Sequence, residues 1–178
     1  MPFARKKVDA VNHDLALSLE LREQAAERLV FGLAFLNRSA VKLLLPYPEV
    51  HGLRFGNKGT MKESEWYTGI MQSTDWGGFI LAPGDSKTID YHVRPLSIKN
   101  PKDDDGTDYY RWCVDLPPGE YLVWFAFRVG DDYFCPDSHY RIKDLRREAE
   151  GLQAEVWMGE TKSNRIQVVH TKCETATL

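Results

Sequence analysis

Leucine recurs at every second position in "HDLALSLEL" (13–21), where Leu15, Leu17, Leu19 and Leu21 alternate with mostly polar neighbours. Successive side chains of an extended chain point to opposite faces, so this period of two predicts a half-buried strand. "RLVFGLAFLN" (28–37) is apolar almost throughout and reads as a more fully buried strand. "NRS" (37–39) predicts a turn, because Asn and Ser bond their own backbone and tolerate tight geometry. "AVKLLLPYP" (40–48) resumes the apolar run until Pro46 and Pro48 end its pairing, proline having no ladder hydrogen to donate. The three segments are expected to form a meander.

Residues 50–75 are less regular, with "FGNKGT" as a turn and "SEWYTGI" as a short strand. Two strand-like pieces follow around "APGD" (82–85), where proline presets φ and glycine supplies a positive φ, and Ile89, Tyr91 and Val93 alternate in the second piece. A polar loop (96–108) leads to the strand "YYRWCVDL" (109–116). In "DLPPGEYLVWFAFRVGDD" (115–132), Tyr121, Val123, Phe125, Phe127 and Val129 share one face, and Leu122, Trp124, Ala126 and Arg128 share the other. Aromatic mass on both faces places this strand centrally. Before it, Leu116, two prolines and Gly119 form an arch that a hydroxyl from Tyr121 is expected to staple, as in many β-sandwiches.

"SHYRIKDLRREAEGL" (138–152) breaks the pattern: Ile142, Leu145, Ala149 and Leu152 fall at helical spacing, and Gly151 can terminate the helix. "AEVWMGE" and "NRIQVVHT" close the chain as strands around "TKSN". The whole predicts an all-β fold, an antiparallel β-sandwich with Greek-key links and one short helix near the C-terminal third; a closed barrel is the alternative the same pattern permits. One domain over residues 1–178, with an ordered core of about 11–171, suits the length.

Composition changes this picture little: hydrophobic residues are 43% and charged residues 28% of the chain, ordinary for a globular protein. Five Trp, eight Tyr and eight Phe suit pleated, half-buried surfaces. A net charge of −3 and a pI near 6.0 argue against a nucleic-acid partner, which normally meets a basic face. No apolar run is long enough for a secretion signal or a membrane span, so the expected location is cytoplasmic with no membrane partner, or secreted or periplasmic if a signal has been removed. Cys113, Cys135 and Cys173 follow no metal-binding spacing; Cys113 and Cys135 could form one bridge on neighbouring strands, or remain free thiols.

Candidate chemistry is sparse. In "DDDGTD" the carboxylates of Asp103, Asp105 and Asp108 around a glycine are the one candidate metal site, since a hard cation such as calcium needs several oxygens at alternating positions. The spacing misses the twelve-residue EF-hand and lacks its closing glutamate, so a solvated acidic loop is the competing reading. The five histidines are dispersed, and neither a nucleophile elbow nor a phosphate loop is present, so no catalytic residue and no cofactor is expected. Asn37 fits a glycosylation sequon that here signals a turn. Trp66, Tyr67 and Trp76 lie in an aromatic-rich stretch that either completes the core or forms a partner-binding edge.

"LAFLNRSAVKLLLP" (33–46), "LAPGDSKTIDYHV" (81–93), "LPPGEYLVWFAF" (116–127) and "VWMGETKSNRIQVV" (156–169) together resemble immunoglobulin-like bacterial domains, including those similar to the intracellular proteinase inhibitor of bacilli. The resemblance implies an immunoglobulin-like sandwich and a non-catalytic role of inhibitor or immunity type, and it carries over no active-site residue. The expected partner is therefore another protein, met through loops or a sheet edge. A structural subunit of a larger assembly, including a homo-oligomer, and a calcium-binding or enzymatic module are the alternatives.

Overall fold

The computed structural model describes residues 14–25, 28–66, 77–96, 112–135 and 139–171. In chain order its elements are β1 (Leu15–Ala25), β2 (Arg28–Asn37), β3 (Leu43–Pro46), a 3-10 turn (Val50–Gly52), β4 (Leu53–Asn57), β5 (Gly78–Leu81), β6 (Ser86–Leu96) and β7 (Trp112–Asp115). There follow β8 (Gly119–Val129), β9 (Phe134–Cys135), β10 (Tyr140–Arg141), α1 (Ile142–Leu152), β11 (Glu155–Val156), β12 (Gly159–Lys162) and β13 (Ile166–His170). The described residues are all-β apart from α1, and they form several sheets and no barrel, a sandwich-like arrangement.

One layer is the sheet β1-β2-β6-β7. Facing it, β8 is flanked by β4 on one side and by β12 and β13 on the other. A third sheet, in the order β11-β3-β5, extends the packing. The expected meander stops after two strands: β1 pairs with β2, but β3 leaves for β5 and β11, and β6 takes the place beside β2. The local pattern could not foresee this, because an alternating strand is equally satisfied by either sheet. Nor is the pairing wholly antiparallel: β6 with β7 and β3 with β11 run parallel.

Aromatic rings join the layers. Phe31 meets Phe55 edge-on at 5.7 Å, Phe35 meets Phe127 at 5.3 Å, and Tyr91 stacks on Phe125 at 5.7 Å. Such pairs contribute roughly 0.5–1.5 kcal/mol each beyond the area they bury. On β8 the predicted face of Tyr121, Val123, Phe125, Phe127 and Val129 is buried, and the strand lies centrally as its two apolar faces require. The Tyr121 hydroxyl donates to the Pro117 carbonyl at 2.6 Å, closing the arch. Gly119 is already the first residue of β8, opposite His170, rather than part of the bend.

Two turns meet the expectation made of them. In "APGD" the Asp85 N–H donates to the Ala82 carbonyl at 3.0 Å, and Gly84 holds φ +82. At "NRS" the buried Asn37 side chain accepts from the Ser39 N–H at 2.8 Å, as an Asx turn does.

The helix starts four residues later than its periodicity suggested and buries Leu145 and Ala149 on Leu44, over the outer face of β3. Asp144 accepts the Arg141 backbone N–H at 3.0 Å and satisfies the first turn. Gly151 lies within the helix, and the left-handed terminator is Gln153, whose N–H, like that of Ala154, turns back to the last carbonyls. At the C-terminal end "TKSN" is no hairpin turn. Three residues, Ser163–Arg165, face two on β8, so β12 and β13 form one bulged line along the same neighbour. β4 had no expected counterpart, since only Leu53 and Phe55 mark it beside the Gly-Asn turn signal.

Candidate functional site

β4 pairs with β8 from Asn57↔Tyr121 to Leu53↔Phe125, and there its cover ends. Immediately before Leu53 the 3-10 turn, closed by Gly52 N–H to the Glu49 carbonyl at 3.0 Å, folds the chain away from the sheet. On its far side β8 continues against β12 to Val129. Among the described residues, therefore, no strand neighbours the stretch from Ala126 to Val129 on the β4 side.

Backbone alternation tells which groups face this gap. Phe125 donates its N–H to Ser163 Oγ at 2.9 Å and accepts from the Ser163 N–H at 2.9 Å, so its peptide groups point to the β12–β13 side. The groups of Ala126 and Arg128, one position out of phase, point to the gap. A Cβ placed on Gly52 would fall 2.7 Å from the Ala126 carbonyl oxygen, which agrees with that direction.

The gap is the floor of a cleft of about 320 Å³. Tyr47, His51, Arg54, Tyr133 and Phe134 are among the residues that line it. Lining charges are balanced. Arg128 contacts the Asp132 carboxylate at 2.9 and 3.2 Å, and this hydrogen bonding holds the Asp132 carboxyl below its usual range. Arg54 reaches Glu63 at 3.3 Å. Burial raises the Tyr133 phenol above its ordinary value, so it is a neutral hydroxyl at physiological pH. At the rim the Phe134 ring, 43% exposed, carries the Arg141 guanidinium 5.5 Å from its centroid. Backbone with no strand neighbour among the described residues, an aromatic lining and compensated charges suit recognition of an extended chain.

Of the residues singled out in the sequence, Trp66 is half-buried. Its indole N–H donates to the Leu53 carbonyl at 3.2 Å, and its ring meets Phe55 and His51 edge-on, each at 5.9 Å. Tyr67, Trp76, Asp103, Asp105 and Asp108 lie outside the described residues. Cys113 and Cys135 are not joined by a disulfide. The Asn37 amide donates to the Val41 and Leu81 carbonyls at 2.8 and 2.9 Å, so the sequon side chain is buried and saturated. Among the described residues no group of three or more His, Cys, Asp or Glu could hold a metal ion, and no helix is long and apolar enough to cross a membrane.

The cleft escaped sequence reasoning because it joins two segments far apart in the chain, 47–54 and 125–134. One faint signal was present: Ala126, a small residue amid the aromatics of β8. Comparison with protein-family models, curated proteins and solved structures found no match. Fold and site together define a class only, that of an all-β, sandwich-like protein with a cleft along part of one sheet edge.

Proposed function

We propose that this protein is a non-catalytic binding module that takes an extended segment of another protein into the cleft beside β8, as an inhibitor or immunity-type protein would. The observation carrying this reading is the stretch from Ala126 to Val129, which among the described residues has no strand neighbour on the β4 side and lines an aromatic cleft. Added strands draw affinity from main-chain hydrogen bonds and specificity from pockets for alternate side chains. The cleft volume of about 320 Å³ sits at the low end for small-molecule sites, which fits one or two partner side chains better than a whole ligand. The immunoglobulin-like resemblance points to the same kind of role.

The test is capture of partners from native extract by the full chain, compared with Phe134→Ala and Ala126→Pro. Proline at 126 removes an N–H that faces the cleft, not the ladder with β12, and Phe134→Ala removes an exposed rim ring. A captured protein lost from both variants, with circular dichroism unchanged, is the expected result. Undiminished capture by both folded variants would refute the reading.

A further inference from the structure

β1 is an edge strand: among the described residues it pairs with β2 alone, and it runs for eleven residues from Leu15 to Ala25. An edge of that length is a template on which another strand can add. Its middle is nevertheless occupied by a side chain. The Leu19 N–H donates to Asn164 Oδ1 at 2.8 Å, and Asn164 Nδ2 donates back to the Leu19 carbonyl at 3.0 Å. A primary amide carries the same donor and acceptor as a peptide group, so Asn164 makes the paired bonds that a neighbouring strand would make.

The C-terminal bulge aims this side chain. Ser163 takes over both bonds to Phe125, one of them through its hydroxyl, and the same hydroxyl donates to the Asn164 carbonyl at 2.7 Å. The residue in excess over the β8 register is thereby turned away from β8 and towards the opposite sheet. Two further features disturb the same edge. The β1–β2 register shifts between Leu21 and Glu23, and the Gln24 side chain reaches across to the Val169 carbonyl. A strand arriving about 4.8 Å from β1 would have to expel Asn164 before pairing across Leu19.

We infer that Asn164 is a plug that keeps the β1 edge from pairing with a second copy of this chain. The surface it guards fits an identical β1, because the odd-numbered residues flanking Leu19 present their backbone groups to the same side. The plug stands independently of the cleft reading.

Amide hydrogen exchange and light scattering on the full chain test it together. In the wild type the Leu19 amide is expected to be protected although, among the described residues, no strand lies on the side it faces; exchange at the free-peptide rate would overturn the inference without any variant. In Asn164→Ala the Leu19 amide is expected to exchange at least tenfold faster in dilute solution. As concentration rises, dimers or larger species should appear and the Leu19 protection should return, since the second copy covers the same amide. Asn164→Asp, which keeps the acceptor for the Leu19 N–H and adds a charge to the edge, is expected to retain the wild-type mass. A folded Asn164→Ala that keeps the wild-type mass at every concentration, or that associates while Leu19 stays open, would overturn it.

Discussion

The side-chain amide of Asn37 donates to the carbonyl of Leu81, 44 residues away, at 2.9 Å. A second hydrogen goes to Val41, and the Asn37 oxygen accepts from the N–H and hydroxyl of Ser39. The Asn37 backbone also accepts from the Gly84 N–H, so one residue locks the β2–β3 turn onto the β5–β6 turn. Asn37→Ala would leave two carbonyls short of a donor, and we expect a loss of about 2–3 kcal/mol in urea unfolding. Asn37→Asp should do no better at neutral pH, because a carboxylate has no hydrogen to donate.

Tyr91 is buried with its hydroxyl donating to the Pro48 carbonyl at 2.8 Å, and burial raises its pKa far above the ordinary phenol value. Its folded value exceeds its unfolded one, so the stabilisation is whole below about pH 10 and is lost as pH climbs towards the folded value. Stability measured by urea should fall above about pH 10, with Tyr91 contributing a slope of about 1.4 kcal/mol per pH unit. Tyr91→Phe should flatten that fall in part. Tyr121, Tyr133 and Tyr140, also raised by burial, maintain the remainder.

Gln153 ends α1 at φ 51, ψ 48, a left-handed conformation that a Cβ disfavours. Gln153→Gly relieves the clash at an exposed position, and thermal unfolding should show a gain of about 1 kcal/mol.

Gly52 lies against β8 closely enough that any Cβ would press on the Ala126 carbonyl. Gly52→Ala is expected to cost about 1–3 kcal/mol by overpacking, and to weaken partner capture as well, since it displaces the cleft floor. A variant as stable as the wild type would show that the 3-10 turn yields freely.

Trp66 holds β4 through its indole bond to Leu53 and its contacts with Phe55 and His51. Trp66→Phe should lower stability by about 1 kcal/mol, through loss of that hydrogen bond, while capture stays intact. Loss of capture with unchanged stability would instead support a partner-binding role for this residue.

Much of the fold was legible in the chain. Alternation over β1 and β8, and the apolar run of β2, specify strands because the side chains of one face, or of both, must leave water, and that requirement is local. The Tyr121 staple, the Asn37 turn and the Gly84 turn were also visible, since each depends on residues within a few positions of one another. The helix was visible but its ends were not: Tyr140 and Arg141 pair with β9, and Gln153 accepts a conformation usually left to glycine. Of the cleft, Ala126 was the only faint mark. The cleft arises from where pairing stops, and neither Leu53 nor Gly52 carries a mark of that in sequence.

The amino-acid sequence by itself determined that this chain is built of strands with one helix and a staple at Tyr121, because periodicity and turn chemistry act over short spans. Only the tertiary structure decided that β3 abandons β2 for another sheet, that among the described residues β8 has no strand on its β4 side beyond Phe125, and that Asn164 plugs the edge of β1. Those outcomes depend on which strands lie side by side. That choice is made by the summed burial of residues far apart in sequence, where no single stretch carries the deciding term.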